Sequence, residues 1–87
     1  PATPDDIAPI AAHLRQTLTD RFGAAGSEVP ILYGGSVDPK NAGSFVQVPE
    51  IDGLFVGRAA WTVDGYCEVV AAALAARGLN GVAGIVA

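Results

Sequence analysis

The chain has 87 residues, of which 51% are hydrophobic, with a formal net charge of −4 and a mean hydropathy of +0.39. This composition predicts one small domain with an apolar core and excludes a disordered chain. The five lysines and arginines are scattered singly, which excludes nucleic acid and an anionic membrane surface as partners but leaves room for a small bound anion.

The single cysteine and the lengths of the apolar runs favour the cytoplasm as the location. Cys67 lies in the segment YCEVVAAALAA and has no second cysteine with which to form an internal disulfide bond. We expect it to be a small buried helix residue in a reducing compartment. No run reaches the roughly 18 to 20 apolar residues of a membrane span. The start PATPDD lacks the basic and apolar regions of a signal peptide.

The first predicted element is an amphipathic helix over residues 4–22. Its apolar residues recur at spacings of three and four, which predicts a buried stripe of Ile7, Ile10, Leu14, Leu18 and Phe22. Thr3 should cap the helix, with Pro4 at its first position and Asp6 completing a capping box. Gly23 should end the helix as a residue with left-handed backbone.

A short apolar strand and a short helix follow. The strand is built around Pro30 from Val29, Ile31, Leu32 and Tyr33, and it is so apolar that we expect both of its faces to be buried. After two glycines, Asp38 should cap a second helix and Pro39 should open it. This helix should run to about Val46 and stop before Pro49.

The second predicted strand covers residues 53–56 and precedes the last helix. Either Thr62 or Asp64 can cap that helix, and Gly78 should end it. Its predicted buried stripe consists of Tyr66, Val69, Val70, Ala73 and Leu74. For the apolar, glycine-interrupted tail of residues 79–87 no element is predicted.

Helices and strands therefore alternate, with about 22 residues from one strand to the next. This spacing is typical of a parallel sheet with right-handed crossovers. Parallel strands that are buried on both faces occur almost only in larger sheets covered by helices on both sides. The sequence predicts that the chain is part of a larger fold.

Both predicted strands end in glycine and are followed by a predicted helix start, in YGGS at 33–36 and VGRAA at 56–60. Glycine allows a ligand to approach the backbone closely, and unpaired amides at a helix start favour an anion. In an eight-stranded β/α barrel the loops after the last two strands form a common phosphate site. Two such loops in adjacent units therefore predict phosphate binding, whereas one alone would be explained equally well as a simple turn.

Three segments carry a resemblance to a known family: ATP at 2–4, YGGSVDPKNA at 33–42 and IDGLFVG at 51–57. Together they resemble the C-terminal third of triose-phosphate isomerases, over most of residues 1–77. The resemblance implies that residues 1–87 are a partial TIM (β/α)8 barrel, running from the hinge of the active-site lid to the C-terminus. This portion would comprise the last two βα units and the preceding helix, in the order α-β-α-β-α.

The same resemblance implies an activity. Members of this family interconvert glyceraldehyde 3-phosphate and dihydroxyacetone phosphate through an enediol(ate), in glycolysis and gluconeogenesis, without a cofactor or metal ion. A small phosphorylated sugar would be the substrate. The missing N-terminal barrel segment would be required as a partner, and the complete protein is expected to be a homodimer.

Family residues that bind the substrate phosphate map onto both glycine loops. Backbone amides of the YGGS serine and of the last two residues of VGG bind phosphate in the family, which implies this role for Ser36, Gly57 and Arg58. Gly34 and Gly35 belong to the same phosphate-binding loop. The family carries glycine where this chain has Arg58, so a side chain stands where bare backbone is expected.

The resemblance also implies where the lid is held and what the chain lacks. Tyr33 and Ser36 would latch the closed lid, and Pro1 and Ala2 would form its C-terminal hinge. The family's catalytic lysine, histidine and glutamate lie upstream of the hinge, so no catalytic residue is expected here. His13 lies in the middle of a predicted helix, not after a strand, and is interpreted as an outer-helix residue. No residue set has the spacing of a metal site.

Other functions stay open at this point. A tetrulose-phosphate isomerase of the same family is the alternative that Arg58 favours, with Trp61 packed under the loop. A sugar-phosphate epimerase, or an indole or imidazole biosynthesis barrel, uses similar glycine loops, although YGGSVDP and ATP together disfavour these. The third alternative is a stand-alone partial barrel that binds phosphate or assembles with copies of itself through its open strand edges.

Overall fold

The structure is a computed structural model that describes residues 1–78, so the tail of residues 79–87 lies outside the described part. Three helices and two strands alternate along the chain, and two short 3₁₀-helices lie between them. In chain order the elements are α1 (Pro4–Phe22), a 3₁₀-helix (Gly23–Glu28), β1 (Leu32–Gly34), α2 (Ala42–Val46), β2 (Gly53–Phe55), a second 3₁₀-helix (Arg58–Ala60) and α3 (Val63–Ala76). None of the helices within these 78 residues is long and apolar enough to cross a membrane.

The two strands pair in parallel and form a sheet with one covered face. The register pairs Leu32 with Gly53, Tyr33 with Leu54 and Gly34 with Phe55. Because side chains alternate along a strand, Tyr33 and Leu54 point to one face and Leu32 and Phe55 to the other. Both apolar clusters of the chain pack against Tyr33 and Leu54, and these clusters contain residues of α1, α2 and α3. All three helices therefore lie on the same side of the sheet.

The opposite face of the sheet is open, which corrects the expectation that the strands are buried on both faces. Leu32 is 55% exposed and Phe55 is 72% exposed. No element within residues 1–78 covers this face, because the helices that could do so all pack on the other side. The strands thus carry apolar side chains on a face that residues 1–78 alone leave exposed to water.

Helix α1 has the predicted ends but buries a narrower stripe than expected. The hydroxyl of Thr3 accepts a hydrogen bond from the Asp6 amide at 3.3 Å, and the Thr3 amide donates to the Asp6 carboxylate at 2.8 Å. Gly23 closes the helix with a φ of 63°. Ile7 and Ala11 are the buried residues of the helix, while Ile10, Leu14 and Phe22 of the predicted stripe are exposed. The helix therefore contacts the core through only part of its apolar face.

Strand β1 begins later than predicted because side chains occupy the backbone groups before it. The Val29 carbonyl accepts a hydrogen bond from Arg15, and the Ile31 amide donates to the Asp52 carboxylate at 2.8 Å. Groups engaged in this way are not available to a strand ladder. The ladder therefore starts at Leu32, and the predicted residues from Val29 onward form an irregular entry to it.

Helix α2 also begins later than predicted, after a turn organised by Asp38. One carboxylate oxygen of Asp38 accepts the amides of Lys40 and Asn41 at 2.8 and 3.0 Å. The side-chain oxygen of Asn41 accepts the Asp38 amide at 2.8 Å. These reciprocal bonds form an Asx-type turn, in which aspartate and asparagine side chains replace backbone partners. Asp38 therefore caps this turn and not the helix, whose N-cap residue is Asn41 and which starts at Ala42 and not at Pro39 as expected.

Helix α3 is capped by Thr62, whose hydroxyl accepts the Gly65 amide at 3.0 Å, and Gly78 follows it with a φ of 72°. Val69 is its buried residue. Tyr66 and Cys67 are exposed, so the expectation that both are buried is wrong. Only the part of the helix nearest α2 and β2 is covered.

Two arginines join segments that are distant in sequence. Arg15, on α1, donates to the carbonyls of Gly26 and Val29 and to the carboxylates of Glu50 and Asp52, and its side chain is only 13% exposed. It is therefore a largely buried link between α1, the entry to β1 and the segment before β2. Arg77 donates to the carbonyls of Val46 and Ile51 and so fastens the end of α3 to the segment between α2 and β2.

Candidate functional site

The loops that follow β1 and β2 meet at one end of the sheet. Because the strands are parallel and Gly34 pairs with Phe55, both loops leave the sheet at the same level. They enclose an open pocket lined by Gly35, Ser36, Val37, Asp38, Gly57, Arg58 and Ala59. Four of the residues that the sequence singled out for phosphate binding, Gly35, Ser36, Gly57 and Arg58, are thus brought together. Gly34, the fifth, is the last residue of β1 and does not line the pocket.

Free backbone donors are present at this pocket. Within residues 1–78, the amides of Ser36 and Arg58 donate to no acceptor. Both residues are exposed, so water or a ligand can reach these groups. Two donors from different loops on one open pocket can bind an anionic oxygen atom, because a charge-assisted hydrogen bond is stronger than one to water.

The glycine at position 35 is required by the tyrosine beside it. A Cβ atom on Gly35 would lie 2.5 Å from the Tyr33 hydroxyl oxygen and 3.0 Å from the ring carbon that bears it. The Tyr33 ring stacks on Phe45, with ring centroids 4.2 Å apart and planes 15° from parallel. A side chain at position 35 would therefore require the Tyr33 ring to shift.

The start of the chain lies against the same loop. A second depression is lined by residues from three segments, namely Pro1, Ala2, Thr3, Pro4, Ser36, Asp38, Lys40, Asn41, Ser44 and Phe45. Ser36 lines both depressions. The predicted hinge residues Pro1 and Ala2 are thus neighbours of Ser36, one of the two residues predicted to latch a lid. The other, Tyr33, lies next to Gly35.

Asn41 supports the loop after β1, and sequence reasoning missed this role. Its side-chain nitrogen donates to the Ser36 carbonyl at 2.7 Å, while its side-chain oxygen accepts the Asp38 amide. Asn41 thereby ties the Ser36 carbonyl to the turn that precedes α2. An aspartate followed three residues later by asparagine, as in DPKN, is the signal that could have indicated such a turn.

The side chain of Arg58 lies over an aromatic ring. Its guanidinium carbon is 5.7 Å from the centroid of the Trp61 ring, which is within the range of a cation–π contact. Trp61 is 77% exposed, so the expectation that it packs under the loop is wrong. The 3₁₀-helix Arg58–Ala60 has three residues per turn, which stacks side chains three positions apart and explains the contact.

The histidine and the acidic residues do not form a second site. His13 lies on the exposed side of α1, in the middle of the helix. No group of three or more His, Cys, Asp or Glu residues within residues 1–78 is arranged to hold a metal ion. The pocket between the two loops is therefore the place where the chemistry-bearing residues of the described chain converge.

Comparison with known proteins identifies the family. The family model described as Triosephosphate isomerase matches residues 1–73. The chain belongs to the triosephosphate isomerase family. Among solved structures, triosephosphate isomerase from Bartonella henselae superimposes on 83% of this chain with a TM-score of 0.79 and 29% identity. The fold is thus that of part of a TIM barrel.

The curated relatives of this chain include proteins with two different names. The triosephosphate isomerase of Acidiphilium cryptum is 42% identical over 71 residues, which is 82% of this chain and 28% of that protein. The L-erythrulose-1-phosphate isomerase of Rhizobium etli is 53% identical over 51 residues, which is 59% of this chain and 19% of that protein. The chain spans less than a third of the length of these relatives.

Proposed function

We propose that this chain is the phosphate-binding segment of an isomerase that interconverts an aldose phosphate and a ketose phosphate. The reaction moves a proton between the carbons of the substrate through an enediol(ate). Glyceraldehyde 3-phosphate and dihydroxyacetone phosphate are the first candidate pair, because the family model and the curated relatives carry the name triosephosphate isomerase. The last two βα units of the barrel are the portion to which we assign residues 1–78.

The observation that carries the proposal is the convergence of the two glycine loops on one pocket. The free amides of Ser36 and Arg58, together with Gly57, would bind the phosphate oxygens of the substrate. Phosphate bound at a distance from the reacting carbons positions those carbons and supports closure of a lid, so it contributes to the rate as well as to binding. Tyr33, Ser36 and the hinge at Ala2 are the residues that we assign to the lid.

Proton transfer requires groups that we place in further polypeptide. The open face of the sheet, with Leu32 and Phe55 exposed, is the surface that additional barrel strands would cover. We propose that such strands supply the catalytic base and electrophile, that the complete protein is a cytoplasmic homodimer, and that no cofactor takes part. Residues 1–78 alone would bind phosphate and would not catalyse the reaction.

The test is an isomerase assay of the complete polypeptide that carries this chain, with Asn41→Asp as the informative variant. This change keeps the acceptor of Asn41 but removes the donor that holds the Ser36 carbonyl, and it adds a negative charge beside the loop. We expect KM for the phosphorylated substrate, and the inhibition constant of inorganic phosphate, to rise about tenfold, equivalent to about 1.4 kcal/mol. The matched control is Gln47→Glu, because Gln47 also donates to a carbonyl, that of Ala76, but away from the pocket.

Two results would contradict the proposal separately. A folded complete polypeptide that isomerises neither triose phosphates nor erythrulose phosphate would remove the assigned activity. If the polypeptide is active but Asn41→Asp changes the inhibition constant of phosphate no more than Gln47→Glu does, the loop after β1 does not contribute to phosphate binding.

A tetrulose phosphate is the second candidate substrate, and Arg58 is the observation that favours it. The resemblance to the family predicts glycine at this position, where this chain has arginine. Curated relatives also include proteins named L-erythrulose-1-phosphate isomerase, one of which is 53% identical over 51 residues. If Arg58 re-aims the phosphate subsite for a longer sugar, Arg58→Gly should shift the ratio of specificity constants toward the triose. A displacement of the phosphate by roughly 1 Å can change the rate about a hundredfold. A ratio that moves by less than about twofold would leave the tetrulose without support from Arg58.

A further inference from the structure

We propose that the Arg58 side chain is an exchangeable phosphate ligand, with one position over the Trp61 ring and a second position on a phosphate group in the pocket between the two loops. The inference rests on the proposed function and deepens it, because it names the side chain that recognises the phosphate in addition to the backbone amides. The ligand class is a phosphate monoester dianion or inorganic phosphate, which share the same oxygen atoms.

The charges that line the pocket support this assignment. Of its seven lining residues, Arg58 is the one with a cationic side chain. Asp38 is the one anionic residue, and one of its carboxylate oxygens already accepts two backbone amides from Lys40 and Asn41. An anion in the pocket would therefore meet a carboxylate that is engaged with its own turn and a guanidinium that is available.

The three arginines that contact other residues here are bound very differently. Arg15 and Arg77 are held by hydrogen bonds to backbone carbonyls, and Arg15 also pairs with two carboxylates. The Arg58 guanidinium makes no hydrogen bond or ion pair to any group within residues 1–78, and its described partner is the ring of Trp61. An exposed cation–π contact is weak, whereas a guanidinium binds phosphate through two parallel charge-assisted hydrogen bonds. The guanidinium would therefore bind a phosphate in the pocket in preference to the Trp61 ring.

The exchange needs little rearrangement. Arg58 and Trp61 are three positions apart at the 3₁₀-helix Arg58–Ala60, so the stack is set by local backbone geometry. Both side chains are exposed, and rotation about side-chain bonds in exposed residues is fast. The backbone amide of Arg58 can keep its place at the pocket while the guanidinium moves, because a long flexible side chain separates the guanidinium from the backbone.

Tryptophan fluorescence reports the exchange directly. Inorganic phosphate is titrated into the complete polypeptide, and the emission of Trp61 is obtained as the difference from the Trp61→Phe variant, which keeps a ring face for Arg58. We expect a saturable change in Trp61 emission, and the same dissociation constant from calorimetry. Arg58→Ala should abolish the emission change and weaken phosphate binding about tenfold, which converts to about 1.4 kcal/mol. Arg21→Ala, which removes the same charge from an exposed position at the end of α1, should leave both readouts unchanged.

The inference would be overturned if phosphate bound with no change in Trp61 emission, if Arg58→Ala bound phosphate as tightly as the native protein, or if calorimetry detected no phosphate binding. Circular dichroism confirms that each exposed-site variant is folded, so a negative result cannot come from unfolding. Isomerase activity is measured on the same samples. If the native polypeptide is an active isomerase but Arg58→Ala changes neither Trp61 emission nor phosphate binding, this inference alone is overturned. If the native polypeptide has no isomerase activity, the proposed function is overturned.

Discussion

Arg15 and Asp52 are 37 positions apart in the sequence, and a hydrogen bond of 2.9 Å joins the guanidinium of one to the carboxylate of the other. The same oxygen of Asp52 accepts the backbone amide of Ile31 at 2.8 Å, and the Ile31 carbonyl accepts the Asp52 amide. This pair therefore connects helix α1 to the entry of both strands. It fixes the sheet relative to the helix at the end opposite the pocket.

Arg15→Ala should destabilise the complete polypeptide by about 2 kcal/mol. The change removes the donors for two backbone carbonyls and two carboxylates, and charged hydrogen bonds contribute about 1.5 to 3 kcal/mol before partial solvation of the carboxylates is taken into account. Urea denaturation measures the free energy of unfolding. The matched control is Arg21→Ala on the same helix, whose side chain is exposed and whose loss should cost less than about 0.5 kcal/mol. If the two variants unfold at the same midpoint concentration of urea, the Arg15 contacts do not stabilise the fold.

Gly35→Ala should destabilise the chain, whereas Gly34→Ala should not. A Cβ at position 35 falls 2.5 Å from the Tyr33 hydroxyl and must push the ring off Phe45, while a Cβ at position 34 meets Phe55 at an ordinary 3.4 Å. Loss of the aromatic stack costs about 1 kcal/mol. Thermal unfolding of the two variants, which differ by one position in the same glycine pair, gives the comparison. A stable Gly35→Ala protein whose Tyr33 ring signals do not shift in NMR would contradict the predicted clash.

Acid should weaken the N-terminal cap of α1. The hydrogen bond from the Thr3 backbone, followed by that with the Thr3 hydroxyl, lowers the pKa of Asp6 below its ordinary value of 3.8. Because the folded chain binds this proton less readily than the unfolded chain, the stabilisation is fully present above the ordinary pKa and is lost as the pH falls through the lowered folded-state pKa. Melting temperatures at about pH 6 and about pH 2.5 should therefore differ more for the native protein than for Asp6→Asn.

Asp5→Asn is the control for that measurement, because it removes the same charge one residue earlier and leaves the bonds between Thr3 and Asp6 in place. Its melting temperature should keep the native dependence on pH. If Asp6→Asn also kept it, the capping box would have no part in the acid sensitivity.

The 87-residue chain on its own should associate through the open face of its sheet. Leu32 and Phe55 are exposed there, and both strands have an edge without a partner within residues 1–78. Sedimentation velocity over a range of concentrations should show oligomers or aggregates. Phe55→Lys places a charge on the open face and should shift the chain toward smaller species. Val63→Lys adds the same charge at an exposed position outside the sheet and should not do so. A concentration-independent monomer with a cooperative melt would disprove the expectation.

Local signals in the sequence predicted the ends of α1 and α3 well, but not the start of α2. The caps at Thr3 and Thr62 and the glycines at 23 and 78 were all correctly placed, because each depends on groups within about four residues. The start of β1 was misplaced for the opposite reason. The groups of Val29 and Ile31 are taken by side chains from α1 and from the segment before β2, and such partners cannot be read from the local pattern.

The burial of side chains was predicted less well than the positions of the helices and strands. Ile10, Phe55 and Cys67 were all expected to be buried, and all three are exposed. An apolar pattern indicates that a surface is fit to be covered but does not say whether the covering segment is present. The candidate site was also predicted only in part. Parallel strands imply that the loops after β1 and β2 meet, and they do. The contact of Arg58 with Trp61 was not predicted, because it depends on a 3₁₀-helix that the sequence did not indicate.

The pairing of Gly34 with Phe55 also limits how the length of this chain can vary. Each residue added to a parallel strand advances it by about 3.3 Å and turns every later side chain to the other face. A one-residue insertion in either strand would therefore carry one loop past the other by more than the length of a hydrogen bond, and would exchange the covered Tyr33 for an exposed position. Insertions between α2 and β2 would leave this register unchanged, but they would displace the buried Val48 and the ion pair of Arg15 with Glu50. Residues 32–38 and 53–58 should thus be inherited as blocks of constant length.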